Sequence, residues 1–331
     1  MNVTRTLVKF LIESRYEDLP RDVVHEASRA LLNWLGCAIG AAHHETVDNA
    51  IAALQPFFGP AQAQLIGRRE RVDALHAALI NGISSHVLDF DDTHARAVHV
   101  SAPVWPALLA FGEWKGATGA ELIHAFALGV ETEVRVGLSV FPEHYDKGYH
   151  ITGTAGVFGA AAAIGKLLKL NEQQMCWALG IAATQSAGLR EMFGSMCKSF
   201  HPGSVACNGF AAALLAQQNF TSAEAGIEGK RGFAHVMSSK FDPGVITDGL
   251  GKSYELSQNM YKPFACGLVY KHVLHALGST ERPMSDADLE EKFRGLVDGV
   301  IPAPQARQLI GLCWQFPTLT EAAQLPQAAS A

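Results

Sequence analysis

Strand-period alternation is almost missing from this chain. Apolar residues recur instead at helical spacing along nearly its whole length, a pattern that leaves little besides packed helices to fold into. The spacing predicts helices over residues 3–14, 21–41 and 72–82, and a fresh one from Ser101, with proline near its start. Thr46 is expected to cap a helix ending at Leu54, and Thr118-Gly-Ala-Glu121 opens a long helix over 117–140 with a capping box. Asn171 caps another helix. Further helices are expected over 204–218, after a Thr221 cap, over 268–277, from Ser285 to about 297, and from Pro304 to about 314. Ala61–Gly67 reads as a short extended piece, and Lys262-Pro-Phe-Ala-Cys266-Gly as an extended segment entering the helix at 268–277. The fold class is therefore all-α, with residues 1–277 as the main domain, 278–317 as helices packing on it and 318–331 as a frayed tail. With 48% hydrophobic and 18% charged residues, 331 residues supply a large core.

A net charge of −6 argues against nucleic acid or an anionic membrane as partner, and no apolar run is long enough to span a bilayer. The N-terminus lacks the pattern of a signal peptide. The six cysteines show no Cys-x-x-Cys pair, which fits reduced, mostly buried thiols in a cytoplasmic protein.

Three polar clusters interrupt the apolar pattern. His86-Val-Leu-Asp89-Phe-Asp91-Asp92-Thr93-His94 runs on through Arg96 to His99. His144-Tyr145-Asp-Lys-Gly148-Tyr149-His150 forms a second cluster, and Arg190 to Gly203, with Lys198 and His201, forms a third. Ionisable groups held between apolar helices are costly unless paired or used. If 86–94 continues the preceding helix, Asp89 shares a face with Asp92 and Thr93. Each group alone has an ordinary role: Lys198 as a snorkelling lysine, His150 as a hydrogen-bonded histidine, Asp91 or Asp92 as a helix cap. Their concentration at three helix junctions is the stronger signal. Lys198, His150, His99 and Arg190 offer positive charge in an acidic chain, and backbone N–H groups after His201-Pro-Gly203 could face the same pocket. A small polycarboxylate is the ligand that suits it.

His86, Asp89, Asp91, Asp92 and His94 have the chemistry of divalent-ion ligands. Three aspartates within four residues of one helix cannot all aim at one ion, however, and no second acidic motif stands opposite, so no metal is expected. No glycine-rich dinucleotide fingerprint occurs either.

Asn81-Gly-Ile-Ser-Ser-His-Val-Leu-Asp-Phe-Asp-Asp-Thr-His94, Gly148-Tyr-His150, Phe193-Gly-Ser-Met-Cys-Lys198-Ser-Phe-His-Pro-Gly203 and Lys262-Pro-Phe-Ala-Cys266 resemble the MmgE/PrpD family. That family includes 2-methylcitrate dehydratase, cis-aconitate decarboxylase and iminodisuccinate epimerase. The resemblance covers about 1–276 and resumes near Pro283. It implies an all-α main domain, a homodimer and a site that needs no iron–sulfur cluster, and no cofactor is expected. The family's smaller α/β lid domain, expected between about 276 and 281, is absent from this sequence. The family's positions for an acidic substrate fall on Asp89, Thr93, His99, His150 and Lys198.

The chemistry expected is proton transfer at a carbon next to a carboxylate. Lys198 and His150 would stabilise the enolate, Asp89 or His150 would act as base and His99 as acid. Thr93, Tyr149, Arg190 and His201 would bind substrate. A hydratase or dehydratase of a small di- or tricarboxylate is the first expectation. Epimerisation, decarboxylation and non-catalytic carboxylate binding are the alternatives.

Overall fold

The computed structural model describes residues 2–96, 98–265 and 277–330. It is 63% helical with 3% strand, an all-α protein. The centre is α8 (Ile151–Leu167), whose residues from Ile151 to Gly165 are all buried. A helix apolar on every side belongs inside a bundle. Around it pack α5 (Ser101–Lys115), α6 (Gly119–Ser139), α9 (Glu172–Ala183) and α10 (Met196–Gln217). Next to α10 and α5 lies α4 (Ala74–His86), and α2 (Arg21–Gly40) packs against α4 and α6. Two two-residue antiparallel pairings complete the frame: β1 (Ala63–Gln64) with β2 (Arg71–Val72), and β3 (Thr93–His94) with β4 (Asn259–Met260).

Local chemistry sets several boundaries as expected. Thr118, Asn171 and Ser285 each close a capping box with the residue three positions on. Others differ. The helix Glu45–Leu54 is capped by His44, whose Nδ1 accepts the Thr46 N–H, rather than by Thr46. Residues 221–230 hold no helix, so Thr221 caps nothing. The helix expected over 268–277 lies, but for its last residue, outside the described residues.

The helix expected from 204 begins at Met196 and runs straight through Pro202. Proline there removes one N–H near the helix start, where the loss is confined to the Lys198 carbonyl. Gly203 then meets α4 backbone to backbone: a Cβ on Gly203 would stand 2.3 Å from the Leu79 carbonyl oxygen, and one on Gly82 2.5 Å from the Gly203 Cα. This contact sets the end of α4 beside the start of α10, and with them the first and third polar clusters.

The C-terminal segment docks on the same frame. Helix α13 (Asp286–Val297) packs on α2, where Gly36 and Gly40 leave room for Phe293 and Leu296. Past Pro317 the chain does not fray: Leu325 and Ala329 are fully buried, and the Ala329 carbonyl accepts the Gly67 N–H at 2.9 Å. Ala and Leu on a short final helix give that tail an apolar face to bury. Among the described residues no helix is long and apolar enough to cross a membrane.

Candidate active site

Helix α4 ends at His86, so the stretch after it is a loop rather than a helical continuation. Asp89 has φ 49°, a left-handed conformation that reverses the chain. Asp89 and Thr93 therefore share no helix face. Neither Asp91 nor Asp92 caps α5, which has no side-chain cap.

Asp89 is the hub. Its Oδ1 lies 2.9 Å from the Lys198 Nζ at the start of α10 and 2.7 Å from the Lys262 Nζ just after β4. The Lys262 ammonium also donates to the Asp89 carbonyl at 2.8 Å. Lys262 is fully buried, and the Lys198 side chain nearly so. Burial pushes the Asp89 carboxyl up, but the charges of His99, Lys262 and Lys198 outweigh it and hold the group well below the usual range. Burial lowers Lys198, against the pull of Asp91 and Asp89.

Asp91, fully buried, joins two imidazoles. Its Oδ2 lies 2.8 Å from Nδ1 of His86 and 3.0 Å from Nδ1 of His99. The His99 Nδ1 also faces the Asp92 carbonyl at 3.0 Å. With only acceptors around it, Nδ1 of His99 carries the proton, which leaves Nε2 pointing toward Asp89 Oδ1 at 3.9 Å. Burial drives His86 down to about 3, so it stays neutral at ordinary pH, and its buried Nε2 has no hydrogen-bond partner among the described residues.

His150, the residue before α8, closes this side. Its ring lies 6.1 Å from that of His86 and 6.3 Å from that of His99, and its Nδ1 is 2.8 Å from Nδ1 of His201 on α10. Burial pushes His150 well below its ordinary value, and it pushes His201 down too. Phe193 walls the cluster, with its ring edge-on to His150 at 5.0 Å.

Of the residues expected from sequence, Asp89, His99, His150, Lys198 and His201 thus come together. Three face other partners. Thr93 Oγ1 donates to the Val98 carbonyl at 3.2 Å within its own loop. Tyr149 stacks on His144, ring centroids 4.4 Å apart. Arg190 lies over the Tyr145 ring at 3.9 Å and donates to the Tyr145 carbonyl. The N–H groups after His201-Pro202 lie inside α10 rather than at its start, so they do not face a pocket.

Sequence reasoning assigned no catalytic or substrate-binding role to Lys262, His86 or Asp91, although it weighed His86 and Asp91 as metal ligands and Asp91 as a helix cap. A lysine preceding a proline has no periodic signature, although the Lys262-Pro-Phe-Ala string was one carrier of the resemblance. His86 ends an apolar helix, where a buried polar residue is itself a signal.

Among the described residues two sets of side chains have metal-ligand chemistry: His86, His99 and His150, and Asp89, Asp91 and His99, each with ligand atoms within 4.8 Å of one another. Asp89 already carries two ammonium groups and Asp91 two imidazoles. The arrangement fits a carboxylate-bearing anion better than a dication.

Residues 5–246 match the MmgE/PrpD N-terminal domain. A cis-aconitate decarboxylase-like protein of Aspergillus oryzae is 28% identical over 282 residues, covering 80% of this chain and 58% of that protein. The cis-aconitate decarboxylase of Aspergillus terreus is 29% identical over 270 residues, covering 77% and 55% respectively. The human cis-aconitate decarboxylase is 27% identical over 269 residues, covering 78% and 56%. The chain thus spans a little over half the length of these relatives. With the family domain matched across most of its length and the all-α architecture in place, the chain belongs to the MmgE/PrpD family.

Proposed function

We propose that this protein is a cofactor-free lyase acting on a small di- or tricarboxylate, through a carbanion stabilised as an enolate next to a carboxylate. The observation that carries the reading is the pairing of two ammonium groups with one carboxylate oxygen, at 2.9 and 2.7 Å. An ammonium has three donors. The Lys198 ammonium is ion-paired with Asp89 yet makes no hydrogen bond among the described residues, so its donors stay open to an anion beside His86 and His150, which burial keeps neutral.

In this reading Lys198 and Lys262 hold a substrate carboxylate and take up the charge that develops on it. His150, kept neutral by burial, accepts the proton from carbon. His99, oriented by Asp91, supplies a proton from Nε2 and is stabilised as imidazolium by that carboxylate. Dehydration uses both: the C–H electron pair forms the double bond and hydroxide leaves as water with the His99 proton. Decarboxylation needs only the second. There the C–C pair stays on the substrate as carbon dioxide departs, and the imidazolium protonates the resulting carbanion. The names of the three relatives favour decarboxylation over dehydration.

The test is proton NMR of the protein with a panel of citrate- and aconitate-like acids in deuterium oxide containing EDTA. Loss of carbon dioxide, loss of water or deuterium uptake, abolished in Lys198→Ala, is the expected result. Undiminished turnover in that variant, or no turnover of any acid, rejects the reading.

A further inference from the structure

The loop that carries Asp89 and Asp91 is touched from behind by a residue outside the matched family domain. Lys292 stands on α13. Its Nζ donates to the Phe90 carbonyl at 2.8 Å and lies 4.0 Å from the centroid of the Phe90 ring. Phe90 is the single residue between the two carboxylates. Its peptide groups therefore set where Asp89 meets the two ammonium groups and where Asp91 meets the two imidazoles.

The helix that delivers Lys292 is firmly held. A Cβ on Gly40 of α2 would stand 2.6 Å from the Leu296 carbonyl oxygen, so α2 and α13 touch through backbone. Arg29 of α2 pairs with Asp286 at the first turn of α13 and donates to the Met284 carbonyl at 2.6 Å. Trp314 Nε1 donates to Glu290 Oε1 at 2.9 Å. Leu289, Phe293 and Val297 of α13 are buried, Phe293 against Gly36 of α2. Against this anchorage the loop itself is held at a costly point, because Asp89 sits at φ 49°.

We propose that Lys292 is a positioning residue: its ammonium, fixed by α13, clamps the Phe90 peptide and so holds Asp89 and Asp91 in register with Lys198, Lys262, His86 and His99. Helix α13 thereby becomes part of the site without touching substrate. The role in turnover rests on the lyase reading above, whereas the role in holding the loop does not.

Three variants of the full chain test this. Lys292→Met keeps the apolar stem and loses the donor. Lys292→Gln keeps a donor without charge, and Lys292→Arg keeps both. Two readouts are taken: hydrogen exchange of the backbone amides at 89–92, and kcat with KM on whichever acid the wild type converts. In Lys292→Met, exchange at 89–92 should rise at least tenfold, while that of α8 is unchanged. Its kcat should fall by about tenfold to a hundredfold with KM moving less than threefold, as expected for misplaced groups rather than lost binding. Lys292→Arg should restore both readouts, and Lys292→Gln should restore the exchange protection. Wild-type exchange at 89–92 in Lys292→Met overturns the proposal. So does a rise spread evenly over the whole protein, or a failure of Arg to rescue. Should the wild type convert no acid, the lyase reading falls while the exchange measurement still decides the clamp.

Discussion

Lys262 holds Asp89 twice, donating from one ammonium to the backbone carbonyl at 2.8 Å and to the carboxylate at 2.7 Å. The two partners are not equally replaceable. In Lys262→Met, Asp89 keeps Lys198 and the nearby His99. In Asp89→Asn, a fully buried ammonium loses its counter-charge. Breaking a buried pair from the side that strands a charge costs roughly 3 kcal/mol or more. Asparagine also tolerates φ 49°, so the backbone does not confound the comparison. Urea denaturation should therefore find Asp89→Asn less stable than Lys262→Met. The reverse order would mean that Lys198 alone does not compensate Asp89.

Asp91 is fully buried, and among the described residues its side-chain partners are the two imidazoles of His86 and His99. Asp91→Asn keeps its size and a carbonyl oxygen that can accept from both rings, which in the wild type share the one atom Oδ2, but it loses the negative charge. His99 then has no carboxylate to stabilise its cation when it acts as acid. Turnover should fall about a hundredfold or more, the range of a disabled acid–base group. Substrate binding should change far less, because the two ammonium groups remain in place. Steady-state kinetics with direct binding by calorimetry separates the two effects. Equal losses in both would place Asp91 in binding instead.

Glu133, on α6, is fully buried, and among the described residues neither of its carboxylate oxygens has a hydrogen-bond partner. Burial, reinforced by Asp92, pushes it well above its ordinary value. Asp92 is itself raised to about 7 by burial, against hydrogen bonds from Ser101 and Asn259. For such raised acids the folded state holds protons that the unfolded state has released. Their stabilisation is complete below the unfolded value and is lost as pH rises toward the folded one. Glu133→Gln removes one of these protons from the balance. Relative to wild type, the variant should gain up to about 1.4 kcal/mol per pH unit as pH rises above 4.5. Unfolding free energies of the two proteins between pH 5 and 8 give the slope. Parallel curves would show that Glu133 ionises freely in the folded state.

Much of this arrangement is visible in the chain before folding, and the division follows the range of the forces involved. Thr118, Asn171 and Ser285 are legible because a capping box is satisfied within four residues. The three polar clusters are legible because charges stand out against apolar helices. Where the sequence misleads, a distant contact overrides a local preference. Pro202-Gly203 looks like a helix start, yet the backbone contact with Gly82 keeps it inside α10. Asp89 fits a helical period, yet two lysines far apart in the chain hold it in a reversed turn. Lys262 and Lys292 carry no local pattern at all, and only tertiary packing gives them partners.

The contact between α4 and α10 makes the last prediction the most structural one. Gly203→Ala adds a single methyl group, but it would stand 2.3 Å from the Leu79 carbonyl oxygen and 2.9 Å from the Ile83 nitrogen. Both are backbone atoms of a helix that cannot rotate away, so the helices must separate. Overpacking of this kind costs typically 1–3 kcal/mol. The consequence extends beyond stability. Lys198 lies five residues before Gly203 on α10, and His86 closes α4 three residues after Ile83. Separating α4 from α10 lengthens the distance from Lys198 to Asp89, which follows α4, now 2.9 Å. Gly203→Ala should therefore lose turnover out of proportion to its lost stability when assayed well below its melting temperature. Gly295→Ala, on the open side of α13 with nothing within 4 Å of the added carbon, is the control and should be neutral or slightly stabilising. If Gly203→Ala retains full turnover while its melting temperature drops, the α4–α10 contact supports the fold alone and the spacing of the site is set elsewhere.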